Sequence, residues 1–419
     1  MKHLLLLALK SAWNRRFTLS LTVIAIALSV TMLLGVERLR TQTHDSFSHA
    51  ISATDLVVGA RTSNVQLMLY AVFRMGEATN NMSWASYQAI SNSPMIAWSI
   101  PIALGDSHHG FPVLGTNSHY FKYFQYGDTQ QLRFSQGKPF DAIFDVVLGA
   151  EVAAQRGYQL GDSITLNHGM RVTGPKHDNK PFTVVGILAP TGTPVDRTVH
   201  VSLEAINAIH LDWIGGAPMP GFSIPAEYVK KFDLAPKEIT ATLIGLKNRA
   251  AVFKVQREIN TNDKEALLAV MPGVALEQLW QVVNVAEQSL KAVSAMVVVV
   301  GLSGLIAVVL AGLNERRREL AILRSVGARP RDLWMLLTSE GLFISLSGIV
   351  LGVALLSVLT LILAPMAQSR YGIVFNAPVI SFSELQLVGA VLVVSLLASV
   401  IPGYRAYRLS LIDGLTPRI

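Results

Sequence analysis

The sequence predicts an α-helical membrane protein with four transmembrane helices and a large α+β domain inserted between helices 1 and 2. Three observations carry this. The 419 residues are 51% hydrophobic and 15% charged, with a mean hydropathy of +0.42, a balance unusual for a purely soluble chain. Four apolar runs approach the roughly 20 helical residues needed to cross a hydrocarbon core about 30 Å thick. Between the first two runs lie about 250 residues with the recurrent strand and turn signals of a folded domain.

Residues 1–16 read as an amphipathic helix on the membrane surface, anchored by Trp13. The apolar core of MKHLLLLALK ends at Lys10, and no A-x-A cleavage site follows. The first span is 17–36, FTLSLTVIAIALSVTMLLGV. Residues 37–291 form the outer domain with helical stalks. ERLRTQTHDSF prolongs the first span without Gly or Pro. In EQLWQVVNVAEQSLK, Leu279, Val282, Val283, Ala286 and Leu290 recur at helical spacing and run unbroken into the second span. Between the stalks, β-type runs such as DLVVGA, AWSIPIAL, DVVLGA, FTVVGIL, RTVHVSL and EITATLIGL are punctuated by LGD, PTGTP and GGAPMPG. Helical stretches SWASYQAISN and AAVFKVQREIN flank them, which predicts an α+β lobe with an inserted β lobe over about 111–203. The second span is 292–313, followed by a connector over 314–333. A third helix over 334–364, a short outer loop over 365–384, a fourth span over 385–401 and a tail over 402–419 complete the chain.

Charge sets the orientation. Residues 41–290 carry 18 Lys+Arg against 21 Asp+Glu, a net of −3, whereas the remainder carries 17 against 7, a net of +10. The basic residues therefore sit beside the spans and not on a patch of the folded domain, which removes the case for nucleic-acid binding. Lys2, Lys10, Arg15, Arg16, the connector arginines, Arg405, Arg408 and Arg418 fall on one side if the spans alternate, and the positive-inside rule makes that side cytoplasmic. Both termini are then cytoplasmic. Cysteine is absent, so the outer domain depends on an ordinary hydrophobic core, and thiol chemistry is excluded.

The connector NERRRELAILRSVGARPRDLWML holds six arginines. Arg317, Arg324 and Arg331 are spaced by seven, near one face of a continuous helix. Gly327 suits a helix C′ position and Pro330 a first turn, so the pattern predicts helix, sharp turn, short helix. The longer run ERRRELAILRSVGARPRDLWMLLTSEGLFISLSGIVLGV resembles the signature of permeases of the MacB, LolC and FtsX type, the membrane subunits of ABC transporters. IPGYRAYRLSLIDGL resembles the end of the same module, a Pro, an Arg-rich turn and a final apolar helix. VVLGAEVAAQRGYQLGDSITL with PFTVVGILAPTGTPVDRTVHVSL is similar to the periplasmic core domain of the MacB branch. MacB itself carries an ATPase domain ahead of its first span, and no G-x-x-x-x-G-K-[ST] occurs in these residues.

The resemblance implies a bacterial inner-membrane permease subunit working by mechanotransmission, with an outer domain in the periplasm. ATPase coupling would fall on Arg324, Gly327, Ala328, Arg329, Pro330, Arg331 and Asp332. This chain would bind no cofactor, with ATP and Mg on a separate cytoplasmic ABC ATPase. Other implied partners are a second permease copy or paralogue, a periplasmic adaptor or lipoprotein, and membrane lipids. Cargo classes left open are a lipoprotein, a peptide, a small toxic compound or a metal-linked ligand. The alternative is an FtsX-like regulator that passes ATPase-driven motion to a cell-wall hydrolase.

Three further patterns stand out in the sequence. Gly341, Ser345, Gly348 and Gly352 form a small-residue seam with a G-x-x-x-G pair, for a dimer contact or for packing within the subunit. Glu340 reads as the only acid embedded near a span, snorkelling or pairing with a connector arginine, and the absence of paired intramembrane charges and broken helices argues against a secondary transporter. Nine of ten histidines lie between His44 and His210, with His108, His109 and His119 close together. No ligand spacing accompanies them, the neighbouring rings of His108 and His109 should point apart on a strand, and a surface loop explains all of them. The expectation is no metal site. No G-x-S-x-G or other nucleophile arrangement appears, so the chain is not expected to be an enzyme.

Overall fold

The computed structural model describes residues 16–48, 50–76, 78–169, 175–214, 216–315, 322, 324–325, 327–371 and 380–408. The chain divides into two compact units. One comprises the described parts of Met1–Gln42, Asn284–Met366 and Phe375–Ile419, the other those of Thr43–Val283 and Ala367–Val374.

The first unit is built from the larger parts of four helices, α1 (Arg16–Ser48), α2 (Pro272–Glu315), α3 (Pro330–Tyr371) and α4 (Phe382–Arg408), of which residues 43–48, 272–283 and 367–371 fall in the second unit. All four are long and apolar enough to cross a membrane. Its core joins Ile26, Val30 and Leu34 of α1 to Leu302, Leu305 and Val309 of α2, Ile344, Ile349 and Leu356 of α3, and Val391 of α4. α1 and α2 each continue well past their apolar stretches, as expected where no Gly or Pro interrupts the pattern beyond the span. Three boundaries differ from the expectation. The piece after the Gly-Ala-Arg-Pro turn is not a separate short helix but the first turn of α3, because no breaker lies between Pro330 and the apolar run. α3 then continues through Pro365, and α4 runs past Pro402 to Arg408 where a turn was expected. The predicted surface helix lies outside the described residues except for Arg16, which opens α1. Residues 372–379 of the predicted outer loop and 409–419 of the tail also lie outside them.

The second unit is organised by an eleven-stranded mixed sheet. Its strands are β1 (Leu56–Ala60), β2 (Ile96–His108), β3 (Phe111–Thr116), β4 (Phe134–Gly137), β5 (Asp145–Leu148), β6 (Ser163–Ile164), β7 (Asn167–His168), β8 (Phe182–Leu188), β9 (Val199–Ser202), β10 (Ala241–Leu246) and β11 (Leu267–Val270). They pair in the order β11-β1-β10-β2-β3-β9-β5-β8-β4, with β7 on β2 and β6 on β8. The α+β lobe and the β lobe expected from the sequence are therefore one sheet sharing β2. Its first half pairs with β10, with Ile100 opposite Leu243, and its second half with β3, with His108 opposite Phe111. Between Leu104 and Ser107 the β2/β3 register slips by one residue, a bulge that turns the local side chains out of the regular alternation. Continuous apolar runs such as Val146, Val147 and Leu148 are buried on both faces, which explains why these strands show no clean period of two.

Candidate functional site

The expected coupling residues form a capped helix start. Gly327 has φ +106°, a conformation disfavoured for residues with a Cβ, and its N–H donates to the Arg324 carbonyl at 3.1 Å. The chain then enters α3 with Arg329 before the helix, Pro330 in its first position and Asp332 two residues on. The Asp332 carboxylate accepts from the Arg329 N–H at 2.9 Å, satisfying an otherwise free donor and placing negative charge at the positive end of the helix. Arg329 and Arg331 are exposed, Ala328 half-buried, and Leu333 and Leu337 buried, so the turn is anchored by its apolar side and presents its cations. Arg324 precedes the turn in helical conformation. Arg317 lies outside the described residues.

The small-residue seam of α3 packs against the chain's own helices. A Cβ on Gly348 would stand 2.7 Å from Ile26 of α1, one on Gly352 would stand 2.7 Å from the Ala27 carbonyl, and one on Gly341 would stand 2.5 Å from Ser399 Oγ of α4. Ser345 is fully buried in the same row. Close approach also allows a hydrogen bond across the helices, from Thr31 Oγ1 to the Gly352 carbonyl at 3.0 Å. Where lipid and side chain are equally apolar, contacts of this kind hold helices together.

The helices also enclose a buried ion pair. Arg38 of α1 meets Glu384 of α4 with two hydrogen bonds, Nε to Oε1 at 2.7 Å and Nη2 to Oε2 at 2.9 Å, while Nη1 donates to Thr360 Oγ1 of α3 at 3.2 Å. The side chains of Arg38 and Glu384 are 6% and 3% exposed. Glu340 is therefore not the only acid packed among the helices. The pair was hidden because its members lie 346 residues apart. One local signal was available: Ser381-x-x-Glu384 is a capping box, and Glu384 Oε2 accepts from the Ser381 N–H at 3.0 Å while Ser381 Oγ accepts from the Glu384 N–H at 3.2 Å.

The histidines depart most from expectation. His108 and His109 do not point apart: His109 sits in the tight turn after β2 with φ +49°, and the two rings meet edge to face at 4.6 Å. His108 is buried, bonded to the Thr165 carbonyl at 2.7 Å and to Tyr158 at 2.9 Å, and burial pushes it down to about 4. His119 approaches the Ser99 carbonyl at 3.1 Å. His168, His177 and His210 converge instead on Asp106, a grouping with no signature in local spacing because each residue comes from a different segment.

Comparison with known proteins follows this layout. Residues 17–262 match the MacB-like periplasmic core domain, and residues 291–411 match the FtsX-like permease C-terminal region. The pyoverdine export ATP-binding/permease protein PvdT of Pseudomonas entomophila (strain L48) is 23% identical over 423 residues, which cover 98% of this chain and 59% of PvdT. PvdT of Pseudomonas syringae pv. tomato (strain ATCC BAA-871 / DC3000) is 21% identical over 425 residues, covering 98% and 60%. The chain thus spans about 60% of the length of these curated relatives. Among solved structures, the periplasmic region of MacB from Actinobacillus actinomycetemcomitans aligns with a TM-score of 0.34 at 10% identity, covering 55% of this chain and 94% of that one. The extracellular domain of the noncanonic ABC-type transporter YknZ from Gram-positive bacteria aligns with a TM-score of 0.30 at 12% identity, covering 52% and 99%. The core-domain match takes in more than half of the chain, and the permease match takes in most of the rest in the family's order. The chain belongs to the ABC-transporter-type permeases that join a MacB-like periplasmic core domain to an FtsX-like permease region.

Proposed function

We propose that this permease receives force from a separate cytoplasmic ABC ATPase, which carries ATP and Mg, and passes it to a periplasmic domain that acts on cargo there. The single observation that carries the reading is the turn from Arg324 to Asp332. Its backbone is set by Gly327 and by the Asp332 cap, Arg329 and Arg331 are exposed, and it leads without interruption into a 42-residue helix. A push on such an element displaces a rod and is not absorbed by a loop. α1 and α2, with 33 and 44 residues, supply the other uninterrupted rods. Support for an export role comes from the curated relatives, which are named for pyoverdine export. In this proposal the connector and both ends of the chain face the cytoplasm of a bacterial inner membrane. Two permease copies, or this chain with a paralogue, assemble with the ATPase, since four spans are few for a pathway.

The test is co-purification of the full chain with its ATPase from the native membrane. Replacing Arg329-Pro330-Arg331 by Gly-Ser-Gly is expected to abolish the association while the permease remains in the membrane. Undiminished association rejects the coupling assignment.

A further inference from the structure

Asp106, His168, His177 and His210 arise from three elements and a connecting segment and meet in the second unit. Asp106 occupies the bulge of β2, His168 is its direct cross-strand partner on β7, His177 follows that strand, and His210 ends the helix Leu203–His210. Asp106 Oδ1 lies 3.2 Å from His168 Nδ1, 3.6 Å from His210 Nε2 and 4.0 Å from His177 Nε2, and His168 Nδ1 lies 3.0 Å from His210 Nε2. All four donor atoms fall within 4.8 Å of one another. Ligands about 2.0–2.1 Å from a tetrahedral ion stand roughly 3.4 Å apart, so closure requires an adjustment of about 1.5 Å at the widest pair.

His177 supplies the independent indication. Its side chain is fully buried, and neither ring nitrogen has a hydrogen-bond partner, although Nε2 faces the carboxylate and the other two imidazoles. Buried polar groups are nearly always satisfied, and an ion at this point would satisfy this one. The surrounding residues fit the same role. His210 Nδ1 donates to the Ile206 carbonyl at 2.7 Å, which leaves the Nε2 lone pair facing the cluster, as outer contacts of metal-bound histidines do. The buried pair of Lys180 with Asp212 ties together the segments that carry His177 and His210, and Asp212 also accepts from the Ile224 N–H at 3.0 Å. Trp213 covers one side, its ring 4.1 Å from that of His177.

We propose that Asp106, His168, His177 and His210 form a binding site for one divalent first-row transition-metal ion, zinc above all, which clamps β2, β7, the His177 segment and the end of the Leu203–His210 helix together. Three imidazoles with one carboxylate match a closed tetrahedral zinc set, whereas calcium and magnesium require mostly oxygen ligands and copper(I) prefers sulfur. The side chains of His168 and His210 are 33% and 27% exposed, which gives the ion a way in. The site is independent of any reading of the ATPase contact, and its test does not involve that partner.

The test uses the full-length protein in detergent, stripped with a chelator, reloaded with zinc or cobalt and desalted. One zinc per chain is expected to be retained, and cobalt is expected to give the intense visible absorption of a tetrahedral centre. His177→Ala and His168→Ala are each expected to weaken binding by more than the ~10–100-fold typical of outer-contact changes, while His119→Ala, outside the cluster, leaves it unchanged. His168 is partly exposed, so its replacement remains informative if the His177 variant does not fold. No retained zinc, a weak octahedral cobalt spectrum, or equal retention in His168→Ala overturns the proposal.

Discussion

At the residue scale, Arg38 shows how a single charge is tolerated among apolar helices. Its guanidinium presents a planar fork to Glu384, and the remaining nitrogen reaches Thr360, so three helices share one cation. A buried pair of this kind adds little net stability compared with apolar residues, but removing one partner strands the other. Arg38→Met is therefore expected to cost about 3–5 kcal/mol, read as a drop in thermal stability of the full chain in detergent. Adding Glu384→Gln on top should recover much of it, because a neutral amide no longer carries buried charge and can still accept from the Ser381 N–H. An Arg38→Met chain as stable as the parent would show that the pair is solvated and energetically idle. The sequence displayed Arg38 and Glu384 as two charges near span ends and nothing of their meeting.

At the scale of elements, the seam on α3 was legible from its spacing, since Gly341, Ser345, Gly348 and Gly352 recur at helical intervals. Its partner was not, because spacing says which face is small and not what approaches it. α1 supplies that partner at Gly348, where Ile26 and the Val23 carbonyl leave no room for a side chain. Gly348→Leu is expected to force α1 and α3 apart at a cost of about 1–3 kcal/mol or more, seen as lowered thermal stability of the chain in detergent. Crosslinking between copies should change only as far as folding does. If dimers vanish while thermal stability is kept, the seam belongs between subunits. The capped turn before α3 is the opposite case. Gly327 and Pro330 each act through backbone geometry within a few residues, so reading them in order was enough to place the turn, while the Asp332 cap emerged only in the structure.

At the scale of the whole molecule, charge asymmetry along the chain is the strongest clue to orientation, with −3 over residues 41–290 and +10 over the rest. The chain contains no cysteine, so single cysteines report cleanly on sidedness. A cysteine introduced as Ser325→Cys is expected to react with a membrane-impermeant maleimide only when the cytoplasmic face is opened, and one introduced as Asp128→Cys only from outside. Both positions are exposed, so reactivity reports sidedness and not burial. The reverse pattern would invert the topology and remove the proposed coupling surface from the side where ATP is found.

The sequence by itself determined the four spans, the place of the large inserted domain, the small face of α3 and the turn at Gly327. Each follows from interactions over one or a few helical turns, or from the energy of placing a residue in lipid, and these are properties of short windows. Only the tertiary structure decided that one long strand unites the two lobes, that Arg38 finds Glu384, and that three scattered histidines gather around Asp106. Those outcomes depend on strand pairing and helix packing between residues far apart in the chain, where no local pattern records which partner the fold selects.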